Sequence, residues 1–220
     1  MRPYDGVIFD LDGTLVDSLA DLADATNRML ASFDRPQLGL LQVRQLVGQG
    51  VRRLVERAMP GASAEEVERG IEIFLSYNEA HIADRTVTYP GVAEILDLLA
   101  QQRVPMAILS NKNVSLCRTL LEALGIGRYF ADIVGADSLP FRKPAPEPVL
   151  HILRRFDVAP SAAVMVGDSI NDISAGKGAG TMTVGCRYGY GDSDEIAGAD
   201  YLIDSLPELL GLPIFGRKTS

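Results

Sequence analysis

VIFDLDGTLVDS, residues 7–18, begins with three strand-forming residues, Val7, Ile8 and Phe9, and then delivers two carboxylates, Asp10 and Asp12, around Leu11. Side chains alternate along an extended chain, so Asp10 and Asp12 share one side and Leu11 takes the other. Crowded carboxylates repel unless a cation or a shared proton compensates. The bland reading is a turn in which one Asp caps a helix. The functional reading is a strand that ends in a reactive crevice. One acid would serve as nucleophile and the other would give and take a proton. A hard dication suits such a site. Mg²⁺ commonly binds one or two carboxylates plus water and substrate phosphate. Gly13 permits a sharp turn, and Thr14 is expected to brace it or to meet phosphate.

Further apolar runs follow at residues 104–110, 132–135, 162–167, 182–186 and 201–203, joining 6–10. They are rich in Val, Ile, Leu and Met and show little alternation, as in a sheet covered on both faces. Helical patterns lie between most of them. One is GVAEILDLLAQQ after Pro90, one is SLCRTLLEALGIG closing at Gly125, and one is PEPVLHILRRF opening at Pro146. This is α/β: a doubly wound parallel, Rossmann-like sheet.

From about residue 17 to 87 the alternation stops. Leu19, Leu22, Thr26, Met29, Leu30 and Phe33 form one helical stripe, and a second amphipathic piece is broken by Gly48 and Gly50. Ser63 and Glu66 stand at capping-box spacing. Residues 1–16 and 88–220 therefore read as the core, and 17–87 as an all-helical insert. An insert there would sit over the carboxyl edge of the sheet, where open α/β sheets bind ligands.

The chain has 220 residues, 47% of them hydrophobic, and a formal net charge of −8. That balance argues against binding a nucleic-acid backbone. Two cysteines, Cys117 and Cys186, make neither a metal knuckle nor a disulfide framework, so a reducing cytoplasm is expected. The start of the chain has no apolar signal core, and no apolar run is long enough to span a membrane.

Other strand ends also carry chemistry. Ser110 and Asn111 end the second strand and precede a helix, whose N-terminus can hold phosphate oxygens. Lys143 lies in a Pro-rich turn, where it can screen phosphoryl charge and keep a neighbouring carboxylate ionised. Asp168 and Asp172 follow another strand at i, i+4 spacing.

In order and spacing, DLDGTLVDS, Ser110-Asn111, Lys143 and GDSINDISAG resemble the haloacid dehalogenase-like hydrolases. More narrowly, they resemble the phosphoglycolate phosphatase-like branch with a small helical cap. The resemblance runs from Asp10 to about Tyr201. It implies that Asp10 attacks phosphorus and forms an aspartyl phosphate. Asp12 would protonate the leaving oxygen and then activate water. Mg²⁺ would be held by Asp10, the Asp12 backbone carbonyl and Asp168. Ser110 and NH groups near Asn111 would hold the phosphoryl oxygens, and Lys143 would steady their charge. Asp172 would fix Lys143 or a metal-bound water.

Other branches fit less well. Dehalogenases lack the second acid, and Asp12 is present. The phosphonate-cleaving branch uses a cap lysine, and residues 15–88 contain none; the mutases use an early cap histidine, and residues 15–40 contain none. The implied substrate is a small phosphorylated metabolite, 2-phosphoglycolate first, with a sugar phosphate or pyrophosphate as alternatives. A non-catalytic metal- or phospho-ligand module is the remaining reading. In the insert, Arg52 or Arg53 could meet a substrate carboxylate, although solvated arginines after a helix break are the simpler expectation. For residues 186–195, CRYGYGDSDE, a surface loop is expected, with lining of the site mouth the alternative.

Overall fold

The fold is described from a computed structural model, over residues 4–213. β1 (Gly6–Phe9) is wholly buried and is followed by β2 (Val16–Asp17). Four helices come next: α1 (Leu19–Ala31), α2 (Leu40–Arg44), α3 (Val51–Ala58) and α4 (Ala64–Ala80). β3 (Val87–Thr88) returns to the core, and α5 (Val92–Gln101), β4 (Met106–Leu109), α6 (Val114–Ala123) and β5 (Asp132–Val134) continue it. The chain then alternates through α7 (Glu147–Phe156), β6 (Ala163–Gly167), α8 (Ile170–Ala179), β7 (Met182–Cys186), the short α9 (Ser193–Ile196) and β8 (Tyr201–Ile203).

The six long-run segments form one sheet in the order β5-β4-β1-β6-β7-β8, all pairs parallel. The order runs outward in two directions from β1. Its carboxyl end thus opens at the switch point where such sheets leave a crevice. The pleat explains the absence of alternating polarity. Val7 and Phe9 pack with Ile95, Leu96 and Leu120 on one side, and Ile8 packs with Val149, Ile152 and Ala175 on the other. Both faces are covered, so both need apolar side chains.

The helical insert has its own apolar centre, in which Leu22, Met29 and Leu30 meet Leu54, Val55 and Phe74. Ser63 and Glu66 close the expected capping box on α4, at 2.7 and 3.2 Å. The two connections to the core pair with each other, Val16 with Thr88 and Asp17 with Val87. The two segments leave and return side by side, which lets so short a ribbon form. Asp21 tightens this neck: its carboxylate accepts from the backbone NH of Arg85 and from both the NH and the hydroxyl of Thr86, at 2.6–3.1 Å.

Candidate active site

β1 delivers Asp10 to the crevice, 8% exposed. Its Oδ1 accepts from Lys143 Nζ at 2.7 Å, and the same ammonium donates to Asp172 Oδ1 at 2.6 Å. Asp172 Oδ2 accepts from the NH and hydroxyl of Ser169, at 3.0 and 2.7 Å, in the first turn of α8. Asp172 thus holds Lys143. Its Oδ1 accepts only that one bond, so the expected alternative, a metal-bound water, still has an acceptor to meet.

Asp168 ends β6 and is 3% exposed. Its Oδ1 accepts from the Thr14 hydroxyl at 3.0 Å, and its Oδ2 from the NH groups of Tyr190 and Gly191 at 2.6 and 3.3 Å. This corrects the reading of Thr14 as a phosphate contact: the hydroxyl is wholly buried and committed to Asp168. Gly13 is required beside it. Its φ is +88°, and a Cβ there would lie 2.3 Å from Asp168 Oδ2. The expected surface loop after β7 holds only in part: Arg187 and residues 192–195 are exposed, while Gly189 is buried and Tyr190 and Gly191 line the crevice. A Cβ on Gly189 would lie 2.3 Å from that of Asp168, and Arg44 ties the loop down by donating to the carbonyls of Tyr190 and Gly189, both at 2.9 Å.

Ligand oxygens of Asp10, Asp168 and Asp172 lie within 4.8 Å of one another, all three residues buried. One ammonium faces three carboxylates. Burial, followed by repulsion from Asp172 and Asp168, pushes Asp10 up to about 8 despite the pull of Lys143. Burial and Asp172 push Asp168 up to about 6. Burial alone would lower Lys143, but the charges of Asp10 and Asp172 hold it above the ordinary lysine value. The deficit of positive charge and the all-oxygen donor set fit a hard divalent cation.

Asp12 faces a different cation. Lys112 Nζ donates to its Oδ1 and Oδ2 at 2.8 and 2.9 Å, and the Ser18 hydroxyl donates to Oδ1 at 2.5 Å. Sequence reasoning misses both partners. The available signal was position: Lys112 stands two residues after Ser110, and Ser18 closes the opening stretch. Ser110 is buried at the end of β4, and its hydroxyl accepts from the NH of Lys112 at 3.2 Å. The Asn111 side chain is not turned to a phosphate position. Its amide donates to the carbonyls of Gly48 and Lys143, at 2.9 and 3.0 Å. Asn171 also donates to Gly48 O, at 3.3 Å, so the insert is pinned over the crevice.

Arg52 is not brought to the site. Its guanidinium pairs with Glu68 at 2.7 Å with half its side chain exposed, and Arg53 pairs with Glu56 at 3.0 Å. The cause is the orientation of α3, which buries Leu54, Val55 and Ala58 and turns its arginines to solvent. The cysteine thiols are buried, and burial pushes Cys117 up to about 12, so neither is an activated nucleophile.

Two acids thus stand at the switch point of a Rossmann-like sheet, Asp10 held by a buried lysine within a carboxylate cluster and Asp12 paired with Lys112 and Ser18. The comparisons with known proteins give the class. The family model described as haloacid dehalogenase-like hydrolase matches residues 7–186. A phosphoglycolate phosphatase of Chromobacterium violaceum is 40% identical, over 96% of this chain and 97% of its own length. Phosphoglycolate phosphatase 1 of Pseudomonas aeruginosa is 41% identical, over 93% and 78%. A solved structure described as a predicted phosphoglycolate phosphatase from Haemophilus somnus superposes with a TM-score of 0.92 at 32% identity, covering 96% of this chain and 98% of that one. The chain belongs to the haloacid dehalogenase-like hydrolases, in the phosphoglycolate phosphatase-like branch.

Proposed function

We propose that this phosphatase is Mg²⁺-dependent and hydrolyses 2-phosphoglycolate through an aspartyl phosphate on Asp10. The supporting observation is the unequal pairing of the two acids. Asp10 is fixed by Lys143 among the carboxylates, whereas Asp12 stands apart with Lys112 and Ser18. Two acids in different surroundings can take different roles.

In the first step an Asp10 oxygen attacks phosphorus in line and the ester P–O bond breaks. The leaving oxygen takes a proton from Asp12. In the second step Asp12 removes a proton from water, water attacks the same phosphorus, and the bond to Asp10 breaks. Phosphate leaves and Asp10 is restored. Ser110 and the start of α6 offer donors to the phosphoryl oxygens. Lys143 offsets charge on Asp10 and the transferring group, which is most of what phosphoryl transfer asks of a protein. Asp10 and Asp168 would hold Mg²⁺, with the Asp12 carbonyl the third protein ligand. When bound, that ion supplies positive charge against the phosphoryl oxygens. Residues 17–87 act as the cap: pinned at Gly48 O, they keep water out while the site is charged.

Two buried thiols and no disulfide suit a reducing cytoplasm. Among the described residues, no helix is long and apolar enough to cross a membrane.

The test is phosphate release from a panel holding 2-phosphoglycolate, sugar phosphates and pyrophosphate, with and without EDTA. Release should need Mg²⁺ and vanish in Asp10→Asn, and 2-phosphoglycolate should have the highest kcat/KM. A higher value for a sugar phosphate or pyrophosphate would overturn the substrate. Turnover by Asp10→Asn would overturn the mechanism. Binding without turnover would favour the non-catalytic module.

A further inference from the structure

Two cavities meet at Asp10 and Asp12. One is open and polar and runs past Asp168, Tyr190, Arg44 and Arg57. The other lies under the cap, beside Ser110 and Lys112, and holds about 70 Å³ of space for the centres of water-sized molecules. A single water needs about 10–15 Å³ on that measure, so a few heavy atoms fill it. Its roof is apolar, with Leu46, Val51, Leu54 and Phe74, and the cap's single polar side chain among its lining residues is Asn78. Asn78 is 2% exposed, and its Oδ1 has no hydrogen-bond partner. That oxygen only accepts hydrogen bonds, so a donor on a ligand relieves its desolvation cost and an anion does not.

Two ammonium groups line this cavity, Lys143 and Lys112. Lys143 is fully engaged by Asp10 and Asp172. Lys112 is engaged by Asp12 alone, with only 8% of its side chain exposed. The acid that serves the ester oxygen must approach it within about 2.6–3.2 Å. Lys112 Nζ lies 2.8 and 2.9 Å from the two oxygens of that same acid. A substituent one carbon beyond the ester oxygen therefore arrives beside this ammonium, under an apolar roof. There a buried cation gains most from an anion that can also accept hydrogen bonds. In the other cavity, Arg44 already donates to two backbone carbonyls and Arg57 stands on an exposed turn of α3.

We propose that Lys112 is the specificity-determining residue for the leaving group: its ammonium receives a carboxylate one carbon from the ester oxygen. This rests on the phosphatase reading above and adds the chemical feature that the site selects.

The experiment compares kcat/KM for 2-phosphoglycolate and for ethyl phosphate, which replaces the carboxylate with a methyl group. Both are measured in saturating Mg²⁺ for the natural protein, Lys112→Met and Lys112→Arg, with thermal melts as the folding control. The natural protein should prefer 2-phosphoglycolate. Lys112→Met should cut that preference by about 10- to 100-fold, the value of a charged hydrogen bond, mainly through KM. Lys112→Arg should keep most of it. An equal fall on both substrates in Lys112→Met would overturn the proposal, because Lys112 would then serve only Asp12. So would a natural protein that turns over both esters equally, which leaves the phosphatase reading intact. No Mg²⁺-dependent turnover of either ester defeats that reading instead. If Lys112→Met does not fold, Lys112→Gln takes its place under the same criteria.

Discussion

Replacing Asp10 by Asn should stabilise the metal-free protein, and the gain should grow with pH. Burial and the carboxylates of Asp172 and Asp168 raise Asp10 from an ordinary 3.8 to about 8. The folded protein thus keeps a proton that the unfolded chain releases. Stability is therefore lost as pH rises from about 4 to about 8 and is level beyond. At 1.36 kcal/mol per decade, the interval from 3.8 to pH 7 corresponds to about 4 kcal/mol. Water and relaxation reduce such figures, so a gain of about 2–4 kcal/mol at pH 7 is expected, falling towards zero near pH 4. For a chain of this size that is about 5–15 °C in Tm. Asn still offers Lys143 an acceptor oxygen, so the lysine is not stranded. The assay is thermal and urea unfolding of both proteins in EDTA from pH 4.5 to 8. Mg²⁺ should shrink or reverse the gap, because the natural site gains about 2.7 kcal/mol at one hundred times its Kd and the Asn site loses a ligand. A gap that stays constant with pH, or that Mg²⁺ leaves untouched, would refute the reasoning.

Thr14→Val removes one of the three donors to Asp168 and should weaken Mg²⁺ activation by about 10- to 100-fold, read from metal titrations of activity. Lys143→Met leaves two buried carboxylates facing each other. It should abolish turnover and cost about 3–5 kcal/mol in urea unfolding, and a stable variant would contradict the charge balance described for the site. Arg52→Ala should leave kcat/KM for 2-phosphoglycolate unchanged, since its partner Glu68 lies on the outside of the insert. Gly13→Ala should fold poorly or lose activity, because the new methyl group collides with Asp168 in a left-handed backbone conformation.

The core was legible because covered parallel strands have a distinctive composition. All six expected segments lie in one sheet, and the helices after Pro90 and up to Gly125 form as read. The Asp10, Lys143, Asp168 and Asp172 cluster was legible for a related reason: strand ends on one edge of a parallel sheet converge, so polar residues there must meet. What convergence does not reveal is the partner of each group. Thr14 was legible as a turn residue, yet which carboxylate its hydroxyl would meet depends on β6 lying beside β1, over 150 residues away. Lys112 has no sequence signal that ties it to Asp12, 100 residues earlier in the chain. The Tyr190 loop reads as exposed because glycines favour turns. Here they are needed for close approach to Asp168. Arg52 is solvated, as the simpler expectation had it, and its alternative as a substrate contact is absent: position near two glycines says nothing about which way a short helix rolls on its apolar face.

The contact between cap and core at Gly48 has an evolutionary consequence. Two side chains, Asn111 and Asn171, converge on one acceptor, and that acceptor is a backbone carbonyl. No exchange of the residue 48 side chain deletes the oxygen itself. Variation can retune the grip by altering either amide, one at a time, while the other still holds. The latch is thus redundant on the core side and, on the cap side, beyond the reach of simple side-chain deletion, which leaves the neighbouring apolar roof free to drift towards new leaving groups.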